Sequence, residues 1–227
     1  MTVRHMTGRL KKLCALLERC ERFVDVGCDH GYCTKYMLES GLCNSAVISD
    51  VSAKSLSKAE KLLDKYIAAG ICTPVCCDGL SDVEPGDDFV LIAGMGGEEI
   101  LKILKDSYIP RSFLFQPMKN APELRSYLLE NGCSIEYDGI FAEKRAGAKK
   151  YYFAIKGRAS GGHENSYTPA QLAFGRDSLG TPELDELIKS ELQKNISYAE
   201  GNLSEASRRE VEGRISFLKG VLNGETD

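Results

Sequence analysis

Between Thr7 and Cys20 the apolar residues Leu10, Leu13, Cys14, Leu16 and Leu17 recur at helical spacing among charged ones, a pattern that predicts an amphipathic helix. Its polar face carries Arg4, Arg9, Lys11 and Lys12. From Phe23 the period changes. Short apolar runs, FVDVG, AVISDV and CTPVCC, are separated by the helix-like segments YCTKYMLESG and SAKSLSKAEKLLDKYIAAG, and a further run, DFVLIAGM, follows a polar turn. Strands read as continuous apolar runs where helices cover both faces of a parallel sheet, so this alternation predicts an α/β sheet. It continues through helix GEEILKILKDS, strand SFLFQPM and helix APELRSYLLENG, whose Gly132 suits the position after a helix end.

Then the rhythm breaks. CSIEYDGIFAEK and KKYYFAIKG are two strand-like runs in succession, joined by a turn around Gly147. Five parallel-type strands closed by a hairpin are the order expected of the Rossmann-like class I methyltransferase fold, whereas a dinucleotide domain would continue with another strand and helix. After Gly157 the composition shifts to RASGGHENSYTPAQ, a Gly, Ser and Asn-rich linker. Beyond it, Thr181 and Pro182 form an N-cap and first-position pair, and Leu184, Leu187, Ile188, Leu192 and Ile196 follow one face. Gly201 and Asn202 make a turn, after which Val211, Ile215, Leu218 and Leu222 form a second stripe. Two such helices imply an antiparallel helical hairpin, a short coiled coil, which buries too little alone and must pack on the sheet or on a partner. The chain therefore divides into a sheet domain over 1–158 and a linker with the hairpin over 159–227.

Composition narrows the class. At 227 residues, 43% hydrophobic and 27% charged, the chain can bury one full core and a smaller appendage. No run approaches the roughly 20 consecutive apolar residues of a membrane span, and charges interrupt the N-terminus where a signal peptide would be apolar. A cytoplasmic protein with no membrane partner is expected. The net charge of -4 argues against a wholly basic surface, yet a nucleic-acid enzyme can confine its basic residues to one face. The nine cysteines are odd in number, lack a C-x-x-C pair and fall mostly inside predicted elements, as buried thiols do. With histidines only at positions 5, 30 and 163, no metal site is expected.

The candidate chemistry begins at VDVGCDHGY, Val24 to Tyr32, a strand followed by a turn with Gly27 and Gly31. Glycines there let backbone N–H groups approach a polar cofactor, although a pair of glycines after a strand is more often plain turn chemistry. Where such loops carry a middle glycine, this one has Asp29. Three acids strengthen the cofactor reading: Asp25 two residues before Gly27, Asp50 at the end of the second strand, and Asp78 before Gly79. A carboxylate at the end of strand two can accept from both ribose hydroxyls of an adenosine cofactor. Asp25 and Asp29 would repel a pyrophosphate and tolerate a sulfonium, which favours S-adenosylmethionine over NAD. Helix capping is the plain alternative for Asp29, Asp50 and Asp78 alike. In IAGMGGEEI the turn after strand four is nearly bare of side chains and should line a substrate pocket that a flat base could approach, unless it merely caps the next helix.

Taken together, VDVGCDHGY, SDVSAKSLSKA, CDGL, IAGMGGEEI and FQPMKNAPELRSYL, in this order and spacing, resemble the bacterial tRNA adenine-22 N1-methyltransferase family over residues 7–157. The trailing hairpin resembles that family's C-terminal coiled coil. The resemblance implies a Rossmann-like enzyme that uses S-adenosylmethionine to methylate N1 of an adenine in the D-arm region of tRNA. It implies a cofactor site of Asp25, Gly27, Cys28, Asp29, His30, Asp50, Val51, Asp78, Gly79 and Gly94, and a catalytic end of Asp29, Gly94, Met95 and Gly96. Arg9 matches a basic position of the family.

Methyl transfer to adenine N1 needs no general base, because that lone pair is free in the neutral base, and the product is a cation that a carboxylate would steady. Asp29 is expected to bond the target adenine's amine or to orient His30 and the methionyl tail. N1 lies on the Watson–Crick edge, so the base must be unpaired or flipped. Candidate phosphate contacts are Arg9, Lys11 and Lys12 on the first helix and Lys144, Arg145, Lys149 and Lys150 around the final strand pair, though charge runs are usually solvated faces. For the hairpin, with Arg208, Arg209, Arg214 and Lys219, a tRNA-gripping arm competes with a dimerisation element or a brace. A monomer is expected, with self-association through the hairpin left open. Other readings on the same residues are a methyltransferase of another substrate, a non-catalytic RNA or cofactor-binding module and, more distantly, an NAD oxidoreductase.

Overall fold

The computed structural model describes residues 6–145, 147–160 and 166–225, with the side chain of Arg145 outside that description. Helix α1 (Gly8–Leu16) is capped by the Thr7 hydroxyl, which accepts from the Leu10 N–H. It is shorter than its apolar stripe suggests. The chain is already extended at Leu17, and Cys20 opens strand β1 (Cys20–Val26), where it pairs with Cys43; strand pairing outcompetes the last helical turn. There follow α2 (Tyr32–Glu39), β2 (Cys43–Ser49), α3 (Ala53–Ala68), β3 (Cys72–Val75), β4 (Asp88–Met95), α4 (Gly97–Asp106), β5 (Ser112–Pro117), α5 (Ala121–Glu130) and the antiparallel pair β6 (Ser134–Arg145) and β7 (Ala148–Arg158).

The sheet order is β3-β2-β1-β4-β5-β7-β6, parallel as far as β5. β1 and β4 are neighbours although two strands separate them in the chain, so the strand order reverses there. Ligands of open α/β sheets bind beyond the carboxyl ends of the strands at such a reversal.

Period-2 alternation divides the buried residues between the two faces. Phe23, Ala46, Ile48, Phe89 and Leu91 meet Leu13, Met37, Leu56 and Leu63 of α1, α2 and α3. Val24, Val26, Val90, Ile92, Phe113 and Phe115 meet Ile100, Leu104, Leu124 and Leu128 of α4 and α5.

The segment read as a linker contains structure. Helix α6 (Pro169–Phe174) begins on a Thr168 cap with Gln171 reaching back, and a 3₁₀ turn (Arg176–Ser178) follows. Thr181 caps α7 (Pro182–Ala199) by accepting from the Leu184 N–H, and Ser204 caps α8 (Glu205–Leu222). Leu184, Ile188 and Leu192 of α7 and Leu218 of α8 close a third apolar cluster with Ile140 of β6, so the helices pack on the outer part of the sheet. Ile196, expected in that stripe, is 43% exposed because α7 continues beyond the cluster.

Among the described residues no helix is long and apolar enough to cross a membrane.

Candidate functional site

A cleft of about 950 Å³ opens at the carboxyl ends of β1, β2 and β4. It brings together Asp25, Gly27, Cys28, Asp29, His30, Asp50, Val51, Asp78, Gly79, Gly94 and Met95, residues far apart in sequence. Gly96 is not among its lining residues. Its N–H donates to the Glu99 carboxylate at 2.6 Å, and the neighbouring Gly97 N–H donates to the Lys119 carbonyl at 2.8 Å. The bareness of Gly97 serves packing, since a Cβ there would stand 2.2 Å from the Asn120 carbonyl oxygen. The end of β4 therefore borders the cleft through Ala93, Gly94 and Met95, while the turn glycines Gly96 and Gly97 do not line it.

The loop after β1 is built on three left-handed residues, Gly27 (φ 67), Asp29 (φ 44) and Gly31 (φ 68). Asp29 thus occupies the middle-glycine slot and keeps a glycine-like backbone, a conformation that Asp tolerates better than most L-residues. It does not cap α2, whose N-cap is Gly31 without a side-chain bond. The Asp29 N–H points at Asp50 Oδ2 (3.4 Å), and its carboxylate pairs with Lys58 of α3 at 3.0 Å while remaining 60% exposed at the cleft rim. His30 Nε2 is 3.7 Å from the same carboxylate and the His30 ring stacks on Tyr32. Cys28 shapes the loop: its N–H donates to the Ser49 carbonyl, its carbonyl accepts from Gly31, and its thiol is buried and pushed well above the usual thiol range by that burial.

Asp50 caps no helix either. Ser52 caps α3, and Asp50 Oδ1 accepts from the Ser52 N–H at 2.8 Å. Each of its oxygens has one protein donor, which leaves lone pairs for a diol. Val51 beside it is 73% exposed, an apolar platform at the rim. Asp78 pairs with Lys102 of α4 at 2.9 Å. Asp25 lies deeper. Thr34 Oγ1 donates to it at 2.7 Å, yet burial, reinforced by the Asp50 charge, pushes its carboxyl up to about 6.

Arg9 departs from its expected place on the outer face of α1. It turns into the cleft, where Nη1 donates to Gln116 Oε1 at 2.6 Å and the guanidinium faces the Tyr152 ring at 5.9 Å. Lys11 and Lys12 are exposed on α1, as are Lys144 and Lys150 on the strand pair. Lys149 is committed to Glu186 of α7, which also accepts from the Tyr151 hydroxyl, so it braces the hairpin instead of standing free. The Arg145 side chain, His5, His163 and Arg4 fall outside the described residues.

Sequence reasoning missed Thr7, Tyr32, Glu99, Lys102, Glu143 and Tyr152, all of which line the cleft. Tyr32 closes the quoted loop motif and Lys102 lies on α4, the helix that follows the IAGMGGEEI turn, so both were within reach of the motifs. Glu143 and Tyr152 come from β6 and β7, and no local pattern marks them. Six carboxylates line the cleft, those of Asp25, Asp29, Asp50, Asp78, Glu99 and Glu143, against the cations Arg9 and Lys102. That balance suits a ligand carrying positive charge and opposes a pyrophosphate. Among the described residues no group of three or more His, Cys, Asp or Glu could hold a metal ion.

A family model described as "Methyltransferase domain" matches residues 6–155. A protein of Mycoplasma pneumoniae provisionally named a tRNA methyltransferase is 31% identical over 130 residues, 57% of this chain and 61% of that one. The chain thus matches about three fifths of the length of its curated relatives. Among solved structures, a Streptococcus agalactiae protein of the NADB-Rossmann superfamily is 26% identical with a TM-score of 0.84, covering 96% of this chain and 97% of that one. A Streptococcus pneumoniae protein, provisionally named a tRNA (m1A22) methyltransferase and solved with S-adenosyl-L-methionine, is 23% identical with a TM-score of 0.82 over 96% of this chain and 100% of that one.

Proposed function

From the premise that this chain belongs to the methyltransferase-domain family, we propose that it transfers a methyl group from S-adenosylmethionine to N1 of adenine 22 in the D-arm region of tRNA, in the cytoplasm. The acid-lined cleft at the strand reversal carries this reading, with Asp50 at the end of β2 retaining free acceptor positions. The names of the relatives in Mycoplasma and Streptococcus support it.

The residues present fit that cofactor. Asp50 is suited to accept from the ribose hydroxyls, Val51 and Ile103 to flank the adenine, and Asp78 to accept from its amine by exchange with Lys102. When bound, the cofactor supplies an electrophilic methyl group on a cationic sulfur. The chain positions the target base over Gly94 and Met95 and keeps carboxylates near the positive charge, which the methylated base carries away. Alignment of reactants supplies much of the rate in such displacements. Asp29, at the rim, is the carboxylate suited to steady the incoming base, with Lys58 holding it in reserve.

The test is to incubate the protein with S-adenosylmethionine and unmodified tRNA transcripts, digest the RNA and look for N1-methyladenosine by mass spectrometry. Product should form with adenine at position 22 and vanish when guanine replaces it. Cofactor binding without any methylated nucleoside would reduce the protein to a binding role. In the same assay Asp29→Gly, which keeps the left-handed backbone and removes the carboxylate, should lose most of the product while retaining cofactor binding and thermal stability. Full activity in that variant would remove Asp29 from the chemistry.

A further inference from the structure

Gln116, near the end of β5, is 0% exposed, and its carboxamide bonds three neighbours, the weakest being a donation from its nitrogen to Met118 Sδ at 3.4 Å. Its oxygen accepts from Arg9 Nη1 at 2.6 Å and its nitrogen donates to the Pro117 carbonyl at 3.0 Å. A guanidinium can only donate, so the amide orientation follows from its partners. Arg9 is pinned from its backbone as well, since its N–H donates to Glu143 Oε1 at 3.1 Å. The guanidinium comes to rest 3.2 Å from where a Cβ on Gly94 would stand, so the bare backbone lets it approach without displacement, and the φ of 85° at that position itself favours glycine.

An arginine of this kind would ordinarily sample many rotamers, and ordering it costs entropy that a ligand must repay. Here the ordering is done by the protein. Gln116 uses Nη1, and among the described residues no other group accepts from the guanidinium, so Nε and Nη2 remain as donors on the cleft wall.

We propose that Gln116 is a positioning residue that fixes the Arg9 guanidinium beside Gly94 as a receptor for an oxyanion. The inference rests on the function proposed above, which offers two sources of that oxyanion: the carboxylate at the cofactor's aminoacyl end and a phosphate of the target nucleotide.

The test is a double-mutant cycle of Gln116→Met, close in length but without the amide acceptor, and Arg9→Met. It is read by titration with S-adenosylhomocysteine and with 5′-methylthioadenosine, which lacks the aminoacyl end, and by the tRNA KM and kcat. If the cofactor's carboxylate is the ligand, Gln116→Met should weaken S-adenosylhomocysteine about tenfold and leave methylthioadenosine unchanged. If a phosphate is the ligand, both titrations should stay as in the wild type while the tRNA KM rises about tenfold at constant kcat. In either case Gln116→Met should have no further effect once Arg9 is Met.

An equal effect of Gln116→Met in both backgrounds, or an equal loss of methylthioadenosine binding, would mean a merely structural role and overturn the proposal. Should Gln116→Met not fold, Arg9→Lys keeps the charge without the fork and leaves the core intact; wild-type behaviour from it would overturn the proposal too. A wild-type protein that binds neither adenosine ligand sinks the proposed function, whereas one that binds and methylates with Gln116→Met indistinguishable from it sinks this inference alone.

Discussion

Asp25 is buried at a cost that Thr34 only partly offsets. Its carboxyl, pushed up to about 6, binds a proton more readily in the folded chain than in the unfolded one. Stability contributed by the neutral carboxyl is therefore fully present below about pH 4 and is lost as pH rises through about 6, the loss amounting to about 3 kcal/mol by pH 8. Asp25→Asn keeps an acceptor for Thr34 and should melt higher than the wild type at pH 8, with little difference near pH 3.5. Thermal melts at the two pH values decide it. Retention of so costly a carboxylate makes sense if a cation binds beside it. S-adenosylmethionine should then bind more tightly as pH climbs through about 6, and Asp25→Asn should flatten that dependence. The neighbouring Asp29 answers a question raised by the motif itself: the slot still demands a left-handed backbone, and an aspartate meets that demand while adding a charge at the rim.

Between elements, a fully buried ion pair joins Arg125 on α5 to Asp138 on β6, both 0% exposed, with donor to acceptor distances of 2.8 and 3.0 Å. Arg125 Nη1 also donates to the Leu172 and Ala173 carbonyls at the end of α6, and the Asp138 N–H donates to Asp177 in the 3₁₀ turn. One pair thus fastens the segment after β7 to the sheet. Arg125→Leu leaves a buried carboxylate and two carbonyls without donors, and should destabilise by about 3–5 kcal/mol in chemical denaturation. Helices and strands with long periodic patterns were legible from sequence because burial enforces the pattern. Helix α6 was not: it has only six residues and no stripe, although Thr168-Pro169 repeats the start signal that marks Thr181-Pro182. The direction of Arg9 was also hidden, because a polar residue on an amphipathic helix reads as solvated until Gln116 and Tyr152 are brought opposite it.

For the whole molecule, the alternation of strands and helices foretold the sheet and hence the location of the cleft. What the sequence concealed is how the basic residues are shared out. Arg9 belongs to the cleft and Lys149 to the hairpin brace, which leaves Lys144 and Lys150 exposed on the strand pair and Lys11 and Lys12 exposed on the helix that borders the cleft. On the proposed tRNA function, replacing Lys11 and Lys12 with Ala should weaken tRNA binding irrespective of sequence and reduce the slope of log affinity against log salt by about 1–2, with kcat at saturating tRNA unchanged. A salt titration of binding checks it, and an unaltered slope would place the RNA elsewhere.

The strand order also governs what happens while the chain is being made. β7 is the last strand in sequence yet lies inside the sheet, between β5 and β6. Until Ala148–Arg158 is synthesised, β5 presents an unpaired apolar edge and β6 has no neighbour to join. At ordinary synthesis rates that interval lasts on the order of 2–8 s. Unpaired edges template wrong pairings, so nascent chains halted between Pro117 and Ala148 are the ones most exposed to aggregation, and passage of β7 from the ribosome is the moment at which that hazard ends.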